Sequence, residues 1–533
     1  MAPITNVRQH YSSALRLESF MICTVYTIED KDKGTSSLMA INLPRLKPLR
    51  HITTAFAYAL CCALLAFAQW SFAAHNDLPE LGDASSGFVS QSQEHQLGRV
   101  WLRQLRAQAN TINDPLTISF IEELTFRLAP HSEVRDHRFE FVVIDQGELN
   151  AFAVPGGIIG INLGIFLHAS DEDEISSILA HELAHLSQRH FARQIENAER
   201  QAPVAIASLL ASILLIATNN ADAGFAGIIG SQAASAQSQL AYSRDWEREA
   251  DRAGMKTLVN SGLDPHAMPS MFQQMLAANR YNERPPEFLL THPITDTRVS
   301  DAANRAQAFA IKKRTKSFNF LILQQRAQIR YSIPNSDQTT FFDKLLQSTR
   351  NDLEKDSYRY SLAWVNHQAR HYKKSLQLLN SISKTNSDQP AVAMLKAESL
   401  DQLQQGDEAI RVLQKTYKLR PDSYPTAISL AKILSKYGHA DQAISDIQRW
   451  SERRGTDPII WNQLADSASK AKKILLAYRA KSEYFFLNGQ KSKALRQLEF
   501  AIETAEKKGN FQQKARLKQR LIQMTESKES LSL

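Results

Sequence analysis

Three helical positions return every 34 residues in the second half of this 533-residue chain, and that period constrains the fold more than any other feature. Ala363, Ala397 and Ala431 form the first set; Ser375, Ala409 and Ala443 each follow at twelve residues, and Leu379, Leu413 and Ile447 four residues later. Two small residues and one large one at fixed spacing are what paired helices need where they cross closely, and a unit of this length holds one pair. Such a pair buries its apolar face only against its neighbours, so the units stack into an all-α solenoid with a concave surface suited to polypeptide. Ser482, Ala494 and Leu498 restate the spacing 51 residues after the third set, which predicts an atypical helix pair in between, at Pro458 to Ala480. Gly406 and Gly489 fall at inter-helix turns and Pro421 at a repeat end. The array is expected over 340–533.

The first half carries chemistry instead. Residues 181–185 read His-Glu-Leu-Ala-His, and on a helix positions i and i+4 share a face, so two imidazoles can grip one metal ion. Asp171 to Glu174 place negative charge on the first turn of that helix, and Ile175, Ile178, Leu179 and Leu186 give it an apolar stripe. Two neutral imidazoles suggest zinc, and Glu182, beside the first ligand, is placed to take a proton from a water that the ion acidifies. A third ligand is needed. Residues 244–254, RDWEREADRAG, supply Glu247 and Asp251 on one helical face. Glu247 would complete the set, and Asp251 would fix the tautomer of a ligand imidazole.

Composition narrows the rest. The net charge of +8 includes seven Lys/Arg against four Asp/Glu in residues 1–74, leaving +5 with acids and bases interspersed, which reads as a solvated surface and not as a nucleic-acid footprint. Arg45, Lys47 and Arg50 precede the apolar run Ile52 to Trp70, and Ser71-Phe72-Ala73 offers small residues for cleavage, so 39–74 is expected to be a secretory signal peptide with a membrane anchor as the alternative. Residues 1–38 are then expected to be an extension from an upstream start codon. All three cysteines, Cys23, Cys61 and Cys62, precede the cleavage point, which excludes disulfides and thiol chemistry from the mature protein.

Between signal and metal helix, helical patterns run from about Glu94 to Asn110 and from Thr117 to Leu128. The period then changes to that of strands at 139–144 and 147–165. Gly156, Gly157, Gly160 and Gly164 in the second strand region mark either close approach of an extended peptide or a plain hairpin with bulges. Ala202 to Ile216 is nearly all apolar, about 22 Å of helix at 1.5 Å per residue and short for a ~30 Å bilayer core. With the small-residue run to Ala241 it reads as a buried core or cover over the site, or as peripheral membrane contact through 203–241.

The combination AHELAHLSQRH, EREADRAG, Phe152 to Gly157 and Thr291-His292-Pro293-Ile294-Thr295-Asp296-Thr297-Arg298 resembles the gluzincin metallopeptidases related to the CAAX prenyl protease and HtpX, over about residues 95–310. The resemblance implies a zinc metalloendopeptidase over 75–335, helices with a small β-sheet. It implies one Zn2+ held by His181, His185 and Glu247, Glu182 as general base, and His292 facing the metal across the cleft. By composition alone His292 before proline reads as structural. Its match to the motif makes it a displaceable fourth ligand or a donor to the oxyanion, with Arg298 as a salt-bridge companion. The 34-residue repeat is the tetratricopeptide period. The whole arrangement resembles bacterial periplasmic peptidases that assist outer-membrane β-barrel assembly, with stalled or misfolded barrel proteins as substrates and the barrel-assembly machinery as partner of the repeats.

Three classes of function compete on these residues. An active protease requires both zinc and Glu182. A chaperone or adaptor that has kept the fold handles substrate without Glu182. A membrane-embedded CAAX-type protease requires several spanning helices that the chain lacks in its hydropathy.

Overall fold

The change of apolar period near residue 139 opens a three-stranded sheet. The computed structural model describes residues 90–197, 211, 214, 244–281 and 287–527. The expected extension 1–38, the signal segment 39–74 and, save for Ala211 and Leu214, the stretch 202–241 lie outside the described residues. Strand β1 (Glu140–Ile144) pairs in parallel with β3 (Ile158–Asn162), and β3 pairs antiparallel with β2 (Ala151–Val154), giving the order β1-β3-β2. Alternation sorts the strand residues onto two buried faces. Phe141, Val143, Ile159 and Ile161 join the main core, while Val142, Ile144, Phe152 and Ile158 pack with Trp101 of the first helix, α1 (Gln91–Gln108). Leu214, from the apolar stretch, is buried in that second cluster.

The strand glycines serve the sheet itself. A Cβ at Gly160 would strike the Phe152 ring, and one at Gly164 the Gly147 carbonyl, while Gly156 and Gly157 take positive φ in the turn from β2 to β3. The hairpin reading therefore accounts for them.

Helix α2 (Pro115–Leu128) starts where Asp114 caps it and Pro115 fits the first turn, and packs on β1 and on α4 (Glu172–Ser187), the helix that carries the His pair. A short helix, α3 (Ile165–His168), and then Asp171 lead into α4; the Asp171 carboxylate accepts the Glu174 N–H at 3.1 Å. Glu174 to His185 are all buried. After α5 (His190–Asn197) the chain returns in α6 (Arg244–Asn260), which lies against α4, followed by α7 (Ala267–Tyr281), α8 (Glu287–Thr291), α9 (Asp296–Ala306) and α10 (Phe318–Tyr331). Among the described residues no helix is long and apolar enough to cross a membrane.

From Gln338 the chain is helical throughout. Helix α11 (Gln338–Ser348) leads into the pair α12 (Asp352–Gln368) and α13 (Tyr372–Asn380), and one turn of helix, α14 (Lys384–Ser387), precedes α15 (Pro390–Gln402) and α16 (Gly406–Leu419). Pairs α17 (Tyr424–Lys436)/α18 (Ala440–Arg453) and α19 (Pro458–Lys470)/α20 (Ile474–Leu487) follow, then α21 (Lys491–Lys507) and α22 (Phe511–Glu526). The nine phase-setting residues of the first three repeats are all 2% exposed or less. Backbone geometry keeps the same beat: Arg370, Gln404, Gly438 and Lys472 all take positive φ at the turn within a pair. The last of these shows where the sequence pattern shifts. Helices α19 and α20 continue the 34-residue phase as a fourth hairpin, and Ser482 sits on α20 itself, paired forward to Ala494 on α21. The 51-residue offset is thus one and a half periods, with α20 shared, and no separate pair stands before Ser482. Gly406 opens α16 instead of lying in the turn, where its missing Cβ leaves room for the Tyr437 ring.

Residues 79–533 cluster as one compact unit. Leu353 and Ile459 of the repeats pack on the core of the first half, Arg454 pairs with Glu122 at 2.5 and 2.9 Å, and Arg103 of α1 lies 4.7 Å over the Phe486 ring. Gly489, at φ 70, sits so close to α1 that a Cβ would come 2.3 Å from the Arg103 carbonyl.

Candidate active site

The helical spacing of His181 and His185 puts their Nε2 atoms 3.0 Å apart. Helix α6 brings Glu247 to them: Oε2 is 3.5 Å from His181 Nε2, and Oε1 is 3.4 Å from His185 Nε2. His292, in the bend between α8 and α9, closes the group with Nδ1 at 2.9 Å from Glu247 Oε1 and 3.4 Å from His181 Nε2. All four side chains are buried.

This donor set fits a metal ion. Bonds of 2.0–2.1 Å from a tetrahedral centre to nitrogen and oxygen place the ligand atoms about 3.3–3.4 Å from one another. The measured separations bracket that edge. Three imidazoles and a carboxylate converge there, all buried. Burial alone would lower the His181 imidazole, yet its hydrogen bonds to Asp251 and Glu247 raise it to about 9. Burial, with the neighbouring His181, holds His185 well below its ordinary value. Glu247 is driven well below the usual carboxylate range: burial opposes this, but His292, Arg298 and the two imidazoles outweigh it.

The side chains of this group are oriented from behind. Asp251 Oδ1 lies 3.0 Å from His181 Nδ1, so Nε2 is the atom turned to the metal position. Arg298, capped into α9 by Thr295, grips Asp251 with two bonds of 2.8 Å, reaches Glu247 Oε2 at 2.7 Å, and donates to the Pro293 carbonyl at 2.8 Å. The loop that carries His292 is thereby tied to the helix that carries Glu247.

A further contact has no counterpart in the motif reading. His190 Nδ1 lies 2.9 Å from His185 Nδ1; its Nε2 lies 3.4 Å from Glu249, which pairs with Arg193 at 3.0 Å. The fully buried His190 ring stacks flat on Trp246 at 5.5 Å. His185 is therefore backed by a histidine where His181 is backed by a carboxylate.

Glu182 is buried, and burial raises its carboxyl above the ordinary range, with His292 and His181 pulling the other way. The Ala153 N–H of β2 donates to it, and His292 Nε2 stands 3.5 Å from its Oε1. The edge strand β2 thus runs beside the metal position. Phe288 stacks on His292 at 4.7 Å and fills the space behind it.

Comparison with known proteins agrees with this chemistry. The model of peptidase family M48 matches residues 116–306. The beta-barrel assembly-enhancing protease of Escherichia coli (strain K12) is 32% identical over 458 residues, 85% of this chain and 92% of that protein. Mitochondrial metalloendopeptidase OMA1 of Schizosaccharomyces pombe is 27% identical over 199 residues, 37% of this chain and 56% of that one. A solved TPR protein, YrrB, aligns with 37% of this chain and 95% of its own length at 14% identity and a TM-score of 0.26. With its ligand-like constellation inside the matched segment and a relative alike along nearly its full length, the chain belongs to the M48 metallopeptidases, in the family of the beta-barrel assembly-enhancing proteases.

Proposed function

We propose that the chain is a periplasmic zinc-dependent endopeptidase that assists outer-membrane β-barrel assembly and degrades barrel proteins that stall or misassemble. The observation that carries the proteolytic part is the convergence of His181, His185 and Glu247 with Glu182 one residue from the first ligand. The assembly part rests on the name of the Escherichia coli relative. In this reading residues 75–335 perform the chemistry, and the repeats of 340–533 recruit substrate or the barrel-assembly machinery.

His181 and His185 through Nε2, and Glu247 through its carboxylate, would hold Zn2+. When bound, the ion supplies Lewis-acid polarisation and acidifies a water. Glu182 takes the proton at its carboxylate and returns it to the leaving amine; its burial, which makes it a stronger base than an exposed carboxylate, suits that exchange. An extended substrate lies along the outer edge of β2, which adds main-chain hydrogen bonds without demanding a sequence. Arg298 and Asp251 hold the ligands in place. His292, with Nδ1 2.9 Å from Glu247, would be a further ligand of the ion at rest, one that substrate could displace.

The test is metal analysis of the purified protein together with casein cleavage by wild type and Glu182→Gln. The expected result is full zinc in both and a loss of about 10²–10⁴ in rate for the variant. Substrate handling that survives Glu182→Gln, with no casein cleavage by either protein, would leave a chaperone or adaptor on a retained fold.

A further inference from the structure

The end of the repeat array carries a surface that neither the peptidase chemistry nor the stacking of repeats requires. Residues 470–527 contain fourteen Lys and Arg against five Glu, a net charge of +9, whereas the whole chain carries +8. Three of those five acids are each committed to one cation: Glu503 to Lys507, Glu506 to Lys514 and Glu483 to Arg520. The excess is positive and local.

Helix α22 concentrates it. Its inner face buries Leu517 and Met524 against α21. A terminal repeat helix ordinarily turns a polar face outward, since no further repeat covers it. Here two large apolar side chains face out, with a lysine between them. Phe511, Ala515, Lys518 and Ile522 follow one another at four, three and four residues, so they share one helical face. Phe511 is 73% exposed and Ile522 55%. Arg516 and Lys518 lie along the helix beside Lys514 and Arg520, which pair with Glu506 and Glu483, and Glu526 at its far end is the one acid in it.

We propose that α22 is a docking surface for an anionic phospholipid membrane. An aromatic and a β-branched side chain on the outward stripe, with lysine stems long enough to bring ammonium groups to headgroup phosphates beside them, is the layout of a helix lying in a membrane interface. A second copy of this chain is a poor occupant, because Lys518 in the middle of the stripe would meet its own symmetry mate. An acidic protein would satisfy the charge but leaves the exposed Phe511 without a reason. The contact is weak by design: two apolar side chains and a few charges give reversible attachment.

The experiment uses the full chain with sedimenting vesicles of phosphatidylglycerol in phosphatidylethanolamine, and of phosphatidylcholine alone. Wild type is expected to pellet with the anionic vesicles, to stay soluble with the neutral ones, and to be released by salt. Arg516→Gln with Lys518→Gln should weaken binding roughly fivefold per cation removed, and Phe511→Ser with Ile522→Ser should weaken it at unchanged charge. In Phe511→Trp the added emission should shift to the blue on anionic vesicles alone. A thermal melt at the wild-type midpoint certifies that each variant is folded. Equal pelleting of wild type and both double variants, pelleting with neither vesicle, or binding that only an acidic polypeptide supports would overturn the proposal.

Discussion

Gly254 lies against the backbone of His181: a Cβ built on it would stand 3.1 Å from the His181 nitrogen. The absent side chain lets α6 approach α4 closely, and Glu247, two turns before Gly254, reaches the imidazole pair because of it. Gly254→Val should separate the helices, cost about 1–3 kcal/mol of stability, and lower the metal content per chain. Thermal melts and elemental analysis would check both. Gly254→Ala asks the neighbour to give only slightly and should show the same changes at smaller size.

The second prediction concerns His190. Replacing it with phenylalanine keeps a flat ring on Trp246 but removes the hydrogen bond to His185 Nδ1. Partners of this kind fix ring orientation, and their loss typically weakens metal binding about 10–100-fold. Competition against a chelator would measure it, and an unchanged affinity would reduce His190 to packing.

His292→Ala separates two roles. With His292 as the resting fourth ligand, the variant keeps its zinc on the other three residues and its basal casein cleavage rises, because the position for water is already open. A donor to the oxyanion would instead give a fall of about 10²–10³ at unchanged zinc content. The 2.9 Å contact of its Nδ1 with Glu247, inside the ligand group, favours the rise.

Within the array, Lys472 pays for a left-handed backbone at φ 57 that glycine adopts without strain. The strain is worth about 1–2 kcal/mol and the extra freedom of unfolded glycine about 0.5–1, so Lys472→Gly should raise stability by roughly 0.5–1 kcal/mol. A higher urea midpoint at constant slope is the expected reading. Gly438→Ala, at φ 89, should move it the other way.

Deleting residues 340–533 tests the scaffold. The sequence offers this as a clean cut, but Glu122 would lose Arg454 and α1 would lose its cover at Phe486 and Gly489. The shortened chain should still bind zinc, melt lower than the full protein, and fail to reach large substrates. Full substrate turnover without the repeats would remove their recruiting role.

The sequence was legible wherever regular helical spacing carried the information. His181 with His185 and Glu247 with Asp251 depend only on residues four apart on one helix, and the small-small-large repeat on a fixed spacing across a helix pair. The exceptions share one cause. His190 lies five residues beyond His185, outside any helical period, and faces it because Arg189 turns the chain with φ 50 just after α4 ends. Arg370, Gln404 and Lys472 make the array's turns in the same left-handed conformation without glycine's signature. Residue type says nothing of such a backbone unless the residue is glycine. Arg298 was visible only as a companion, since its hold on Asp251, Glu247 and Pro293 depends on how α9 lies across α6.

The seam between α1 and the last repeats sets an order of events. Glu122 meets Arg454 across 332 residues of chain, and Arg103 meets Gly489 across more. A polypeptide made from its N-terminus has its candidate metal-binding motifs in hand long before the residues that cover the outer side of α1 exist, and contacts of such range are the last to form. A copy that ends before Arg454 consequently keeps every candidate ligand while Glu122 stays unpaired with Arg454 and the outer side of α1 stays uncovered.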